Sequence, residues 1–171
     1  KPGLFTAAGR DHAGTVWFDG LGVDASQMPP AAWLGGAAVS AAEPRRHAQH
    51  KGSFGDVAVV GGAPGMAGAA LLAARAALAA GAGRVFVEMF DPEAPASDAG
   101  RPELMLRPGW SHRVDRDALS RSTVVCGCGG GDAVRAVLPA LLGNCARLLL
   151  DADALNAIAA DPSLRRQLVS R

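Results

Sequence analysis

The stretch from residue 50 to residue 88 constrains the fold more than any other part of this 171-residue chain. An apolar run at residues 56–60 leads through a glycine-rich turn into a helix of small residues, predicted from Met66 to Ala80, and then into a second apolar run at residues 85–90. Strands without polar alternation are typical of a parallel sheet that is covered on both faces. The order of these elements therefore predicts a βαβ unit with a right-handed crossover.

The same alternation continues toward the end of the sequence. Residues 123–126 and 147–150 are predicted strands, and a helix is predicted between them from about Asp132 to Leu142. Residues 91–100, rich in proline, aspartate and alanine, are predicted to form an exposed loop. We therefore predict an α/β fold of three layers, in which a mainly parallel sheet lies between two layers of helices.

Three regions of the chain differ in character, and we treat them as separate parts. Residues 1–24 carry turn signals and one short predicted strand at residues 15–18. Residues 25–49 contain paired prolines and paired glycines without sustained periodicity, which indicates a linker with a short helix at most. Residues 50–171 hold the regular pattern and are predicted to form the α/β domain.

Composition argues against several classes of partner. A net charge of +1 and an aromatic content of 5% provide neither the basic surface nor the stacking platform of a nucleic-acid-binding protein. The longest apolar stretch, residues 66–82, is alanine-rich and interrupted by an arginine, so it is a poor membrane span. The 3 cysteines are an odd number and do not suggest a disulfide framework. We expect a cytoplasmic protein that binds neither nucleic acid nor membrane.

Three glycine-rich or acidic segments directly follow predicted strands: GGAPGMAG at residues 61–68, GCGGGD at 127–132 and DADALN at 151–156. Ligands of open α/β sheets bind outside the carboxyl ends of the strands, so we expect these segments to meet at one site. The first segment is neither a P-loop, because no Gly-Lys-Ser/Thr follows it, nor a GxGxxG fingerprint. Its lack of side chains indicates a helix start whose backbone N–H groups are open to an anion or a carboxamide.

Five motifs in a fixed order carry a resemblance to a known family. They are HKGxxG before the first strand, GxxGMxGAAxLAAxAALxxGAGxV, PELM at residues 102–105, the glycine run at 127–131, and DADALN. Together, over roughly residues 50–160, they resemble the ADP- or ATP-dependent NAD(P)H-hydrate dehydratases, which are repair enzymes with a ribokinase-like fold. Residues 1–24 are similar to the closing segment of the NAD(P)H-hydrate epimerase domain, so the resemblance implies a bifunctional parent protein.

The resemblance implies a repair reaction on damaged nicotinamide nucleotides. The substrate would be NADH or NADPH to which water has been added at the nicotinamide ring. ATP or ADP, with Mg²⁺, would phosphorylate the resulting hydroxyl, and phosphate would then leave as the double bond returns. Phosphate is a far better leaving group than hydroxide, so the covalent step divides one difficult reaction into two easier ones. The resemblance also implies a homo-oligomer.

Parts of the family pattern do not occur in this sequence. The family continues past DADALN with a Thr-Pro-His-Pro-Gly-Glu turn, a lysine-bearing strand and a Gly-Thr-Gly-Asp loop, whose Asp is the expected base. We therefore assign no catalytic base within residues 1–171 and expect an internal fragment of a longer protein. The second glycine-rich segment also departs from the family, because Cys128 and Gly130 stand where the family favours Pro and Leu. Losing that proline makes the free loop more flexible.

The resemblance assigns binding roles to residues of the three segments. The substrate-binding residues would be Gly68, Ala69 and Ala70 at the helix start, with Gly127, Gly129 and Gly131, whose N–H groups would face the pyrophosphate or the ring. The residues near the transferred phosphate would be Asp151, Asp153 and Asn156, acting through Mg²⁺ or by hydrogen bonding. Lys51 and Glu103 are further possible contacts.

Simpler interpretations of these residues stay open at this point. Glycines in a strand-to-helix turn are often structural, because such turns need positive φ. Asp153 and Asn156 could be a helix N-cap and its neighbour. A small-molecule kinase of the same fold, acting on a hydroxymethylpyrimidine or a thiazole alcohol, would share the layout although not the motif combination. A non-catalytic nucleotide-binding module is the other alternative.

Overall fold

A computed structural model of the protein describes residues 2–24, 26–30 and 49–171. The chain divides into two compact units, Lys1–Pro44 and Arg45–Arg171. Most of the predicted linker lies outside the described residues, and the boundaries at residues 24 and 49 stay a prediction. Every helix in the described part of the chain is too short or too polar to cross a membrane.

The first unit contains a 3-10 turn, Pro2–Leu4, and helix α1, Ala7–Ala13. The strand predicted at residues 15–18 is wrong, because the described residues of this unit offer that segment no partner strand. A strand requires ladder hydrogen bonds to a neighbouring strand, and residues 15–18 belong to no strand of the described chain. Its side chains are correspondingly open to solvent, with Trp17 87% and Phe18 92% exposed.

The second unit is built on a parallel sheet of five strands. The strands lie in the spatial order β3-β2-β1-β4-β5, and every neighbouring pair is parallel. Val60, on the central strand, is paired with both Glu88 and Cys126. The predicted α/β class is therefore confirmed. The strands are β1 (Asp56–Gly61), β2 (Arg84–Met89), β3 (Met105–Leu106), β4 (Thr123–Cys126) and β5 (Arg147–Leu150).

Helices cover both faces of this sheet. Val59 packs against Ala70 and Ala74 on one face, whereas its neighbour Val60 packs in a second cluster with Leu138 on the other. Successive strand residues point to opposite faces, so the two clusters lie on opposite sides and the architecture has three layers. The helices are α2 (Ala67–Ala79) on the first face, and α3 (Trp110–Arg113), α4 (Arg116–Arg121), α5 (Val134–Asn144), α6 (Ala152–Ala160) and α7 (Pro162–Val169) on the second.

A bidentate ion pair connects the segment between β2 and β3 to α2. Arg75 Nε donates to Asp98 Oδ2 at 2.8 Å, and Arg75 Nη2 donates to Asp98 Oδ1 at 2.7 Å. The same Oδ1 accepts from the backbone N–H of Gly100 at 2.9 Å. Most of this segment is exposed as predicted, but the Asp98 side chain is only 5% exposed. This carboxylate holds an otherwise irregular segment against the α2 layer.

We expect Asp98→Asn to lower the melting temperature at pH 7. The decrease in melting temperature should be smaller at acidic pH. Hydrogen bonds from Arg75 lower the pKa of Asp98 below its usual value. A carboxyl group whose pKa is lower in the folded than in the unfolded protein stabilises the fold at pH values above its unfolded-state pKa. That stabilisation is lost as the pH falls through the folded-state pKa. The gap between wild type and variant should therefore narrow below about pH 4 in thermal melts.

Asp117→Asn is the matched control for that measurement. Its ion pair with Arg121 joins side chains that are 83% and 72% exposed, and exposed pairs contribute little. A loss for Asp98→Asn at pH 7 as small as the loss for Asp117→Asn would contradict a stabilising role for the buried carboxylate.

Candidate functional site

The glycine-rich segments after β1 and β4 lie side by side at the carboxyl ends of these strands. We call residues 61–68 the first loop and residues 127–131 the second loop. Gly62 N donates to Cys128 O at 3.0 Å, and Ala63 N donates to Gly129 O at 2.7 Å. Two backbone hydrogen bonds therefore join the loops directly, and their relative position is set by main-chain atoms.

The second loop also packs against the start of α6, which follows β5. A Cβ atom on Gly127 would lie 2.6 Å from the carbonyl oxygen of Asp151 and 2.8 Å from Ala154 N. Gly127 also has a φ of +115°, a conformation that side-chain-bearing residues rarely adopt. The three segments singled out from the sequence thus meet at one edge of the sheet, and Gly127 is required for that packing.

Gly129 brings the second loop against the start of α2. Its φ is +59°, and a Cβ atom there would lie 2.9 Å from the Cβ atoms of both Met66 and Ala69. Gly129 is buried. This glycine permits a close approach between backbone and helix, which is the structural role left open above.

Two of the three backbone N–H groups expected to face a ligand, those of Gly127 and Gly131, donate to acceptors within the protein instead. Gly127 N donates to Val60 O at 3.1 Å, and Gly131 N donates to Asp153 Oδ2 at 2.8 Å. Both groups are therefore used inside the protein. The physical reason is that this tight turn lies within hydrogen-bonding distance of a β1 carbonyl oxygen and of a carboxylate at the start of α6.

The three residues predicted at the start of α2 have different surroundings. Gly68 is exposed, and a Cβ atom on it would meet nothing within 4 Å. Ala69 is half-buried beside the second loop. Ala70 is fully buried. A Cβ atom added to Gly62 would lie 3.1 Å from the methyl group of Ala70. Gly68 is thus accessible from solvent, whereas the side chain of Ala70 lies in the core.

The acidic residues at the start of α6 also differ from one another. Asp151 occupies the N-cap position, yet its side chain caps no backbone N–H, and the residue is exposed. Asp153 lies in the first turn, half-buried, and accepts the hydrogen bond from Gly131. Asn156 is exposed one turn further along. The alternative that Asp153 is the N-cap is therefore wrong, because Asp151 holds that position.

Cys128 lies beside Asp151, a contact that sequence reasoning missed. Burial, followed by hydrogen bonding to the Asp151 side chain, raises the pKa of the Cys128 thiol to about 11. Burial likewise raises the pKa of Cys126 to about 12. Both groups are protonated thiols at neutral pH and do not act as nucleophiles.

Lys51 and Glu103 lie at the opposite edge of the sheet from the two loops. Lys51 is in the 3-10 turn Lys51–Phe54 just before β1, and Glu103 precedes β3. Since all the strands are parallel, residues before strands gather at the amino-terminal edge. The two residues line a common cavity of about 680 Å³ there. The structure therefore separates both from the site to which they were assigned.

A second cavity adjoins the first loop at the carboxyl ends of β2 and β3. Asp91 N donates to Gly62 O at 3.1 Å, which joins this wall to the first loop. The cavity has a volume of about 310 Å³, and its lining includes Met89, Pro92, Leu106 and Arg107. Mainly apolar ligand cavities have volumes of about 300–1,000 Å³, so this cavity is at the small end of that range. A cluster of prolines in residues 92–108 is the sequence signal that could have indicated it.

Comparison with known proteins places this architecture in context. A family model described as NAD(P)H-hydrate dehydratase matches residues 57–169. The chain is 35% identical over 187 residues to the bifunctional NAD(P)H-hydrate repair enzyme Nnr of Escherichia coli, covering 99% of this chain and 34% of that protein. It is 40% identical over 124 residues to the ADP-dependent (S)-NAD(P)H-hydrate dehydratase of Neisseria meningitidis, covering 71% of this chain and 42% of that protein. The chain thus spans 34% and 42% of the lengths of these two relatives.

Solved structures share the fold. A ribokinase-like superfamily protein from Enterococcus faecalis superposes with a TM-score of 0.57 at 22% identity, over 68% of this chain and 43% of that one. A hypothetical protein from Streptococcus mutans gives a TM-score of 0.56 at 25% identity, over 74% and 53% of the two chains. The predicted ribokinase-like fold is confirmed.

Proposed function

Because the chain belongs to the NAD(P)H-hydrate dehydratase family, we propose that it serves the nucleotide-dependent dehydration of hydrated NADH and NADPH. The observation that carries the proposal is the meeting of the two loops and the start of α6 at one sheet edge, inside the region that the family model matches. The activity is that of a carbon–oxygen lyase and repairs nicotinamide nucleotides. Relatives of this chain bear enzyme names for this chemistry.

The residues of this edge supply binding and orientation. Gly68 leaves the start of α2 open, so a dinucleotide can approach the backbone where any larger side chain would block it. The adjoining cavity of about 310 Å³ is at the small end of the range for ligand sites, so we assign it to one ring of the dinucleotide. The exposed carboxylate of Asp151 lies beside Cys128 of the second loop and would orient the phosphoryl donor. Transfer to the ring hydroxyl is then chiefly a matter of positioning and charge stabilisation.

The phosphoryl donor is ADP or ATP with Mg²⁺, and the relative from Neisseria meningitidis is named as ADP-dependent. Among the described residues, no group of three His, Cys, Asp or Glu side chains is placed to hold a metal. Magnesium at nucleotide phosphates needs only one or two carboxylates, with waters and phosphate oxygens completing its shell. Asp151 fits that requirement because its carboxylate is exposed and caps no backbone group. Bound magnesium would neutralise charge on the transferred phosphate.

The wider setting is proposed on similar grounds. Residues 1–24 would belong to the epimerase part of a bifunctional protein, supported by the alignment of 99% of this chain with bifunctional Nnr. The cysteines at 126, 128 and 145 are all free and buried, which suits a reducing cytoplasm. The protein would form a homo-oligomer, and its ligand would be a small-molecule dinucleotide.

A thermal-shift titration with NADPH, ADP and a thiazole alcohol tests the function. A ligand at 100 times its Kd that binds only the folded state stabilises it by about 2.7 kcal/mol, which raises the midpoint by roughly 5–10 °C. We expect such a rise with NADPH and with ADP. No rise with either nucleotide contradicts the proposal, and a rise with thiazole alcohols alone favours the small-molecule kinase.

Gly68→Leu links that binding to the first loop. The added side chain points into open space, so the melting temperature of the free protein should stay close to that of wild type. It also occupies the approach to the backbone, so NADPH should no longer raise the midpoint. An unchanged NADPH affinity in a direct titration would remove this loop from the binding site.

A further inference from the structure

The two carboxylates at the start of α6 are only two residues apart but are engaged differently. Asp153 Oδ2 accepts the N–H of Gly131 at 2.8 Å, and its residue is half-buried. Asp151 is exposed, and its side chain accepts no capping hydrogen bond from the helix backbone. The Asp153 carboxylate thus accepts a backbone N–H of the second loop, whereas the Asp151 carboxylate contacts the Cys128 thiol and is otherwise exposed to solvent.

Gly131 is the last residue of the second loop and begins the 3-10 turn Gly131–Ala133 that leads into α5. Its φ of +54° is a conformation that favours glycine, and its N–H points at Asp153. A hydrogen bond from a backbone N–H to an ionised carboxylate is stronger than one to a neutral oxygen. Asp153 therefore anchors the end of the second loop to α6.

That anchor reaches the first loop through the backbone. The second loop accepts the N–H groups of Gly62 and Ala63 through the carbonyl oxygens of its residues 128 and 129. The first loop in turn leads into the open helix start at Gly68. The main chain of the second loop therefore connects the hydrogen bond to α6 with the two hydrogen bonds to the first loop.

We propose that Asp153 is a positioning residue that holds the second loop, and through it the first, while Asp151 is the carboxylate that faces the ligand. The part concerning Asp151 rests on the proposed function. The part concerning Asp153 rests on the hydrogen bond to Gly131 and the loop contacts alone. This division reassigns Asp153, which sequence similarity had placed at the transferred phosphate.

Amide hydrogen exchange measured by NMR tests the anchoring without any ligand. In Asp153→Ala we expect the Gly131 amide to exchange at least about tenfold faster, with smaller increases at Gly62 and Ala63. The matched control Asp151→Ala should leave the Gly131 amide unchanged. Unchanged exchange at Gly131 in Asp153→Ala overturns the proposal, as does an increase in Asp151→Ala of the same size.

The conservative variant Asp153→Asn separates positioning from ligand contact. The amide oxygen of its side chain can accept the same N–H. We therefore expect an exchange rate at Gly131 between those of wild type and Asp153→Ala, and an ADP affinity within a few-fold of wild type. Loss of ADP binding with wild-type exchange at Gly131 would mean that Asp153 contacts the ligand, which overturns the proposal. If Asp153→Ala folds poorly, Asp153→Asn against Asp151→Asn provides the same comparison. If the exchange rates are as expected but wild type binds neither ADP nor NADPH, the proposed function is contradicted. The anchoring role of Asp153 is supported in that case.

Discussion

Replacing Gly127 by alanine is expected to destabilise the protein by about 3 kcal/mol or more. The new Cβ atom would lie 2.6 Å from Asp151 O and 2.8 Å from Ala154 N, both of which are main-chain atoms. Relief would require moving the start of α6 as a unit. The φ of +115° adds backbone strain that no repacking removes.

Gly68→Ala is the matched control for this substitution. It introduces the same methyl group at the first loop, where nothing lies within 4 Å, and at a position inside α2. Because alanine favours the helix over glycine, we expect a stabilisation of about 0.5 kcal/mol. Denaturant unfolding of both variants gives the comparison. A Gly127→Ala variant as stable as Gly68→Ala would mean that the second loop and α6 are not in contact.

Leu138→Ala is expected to cost about 2–5 kcal/mol, because it leaves a cavity in the larger of the two core clusters. Leu138 is 0% exposed in α5, and the same cluster includes Val60 and Val124 of the sheet and Ile158 of α6. For a domain of this size the melting temperature should fall by roughly 5–15 °C. The loss should appear in thermal and in denaturant unfolding alike.

Leu72→Ala removes the same atoms from a side chain that is 68% exposed. Surface substitutions of this kind usually change stability by about 0.5 kcal/mol or less. Similar losses for the two leucine variants would show that α5 does not pack against the sheet. A large loss for Leu138→Ala alone supports α5 as the main cover of this face.

Much of the α/β framework is predictable because long elements carry their own signal. The apolar runs predict β1, β2, β4 and β5 to within one residue at each end. The alanine-rich stretch predicts α2, which begins and ends one residue inside the expected limits. The helix expected from Asp132 to Leu142 begins and ends two residues later, after a 3-10 turn.

Shorter elements escaped prediction because their partners are distant in sequence. Strand β3 has two residues, Met105–Leu106, and exists by pairing with β2. Helix α3 has four residues and is held where Trp110 stacks on Phe86, with ring centroids 6.0 Å apart. The reverse error occurred at residues 15–18, where strand-like residues have no described partner. Such short segments take their structure from what they pack against.

The sequence by itself determined that strands and helices alternate and that glycine-rich and acidic segments directly follow three strands, because periodicity and turn chemistry are local properties of a chain. Only the tertiary structure decided that Asp153 accepts the N–H of Gly131, whereas Asp151 stays exposed beside Cys128. It also decided that Lys51 and Glu103 share a cavity at the far edge of the sheet. The direction of a single N–H bond and the neighbours of a side chain depend on strand order and helix packing, which residues far apart in the sequence set together.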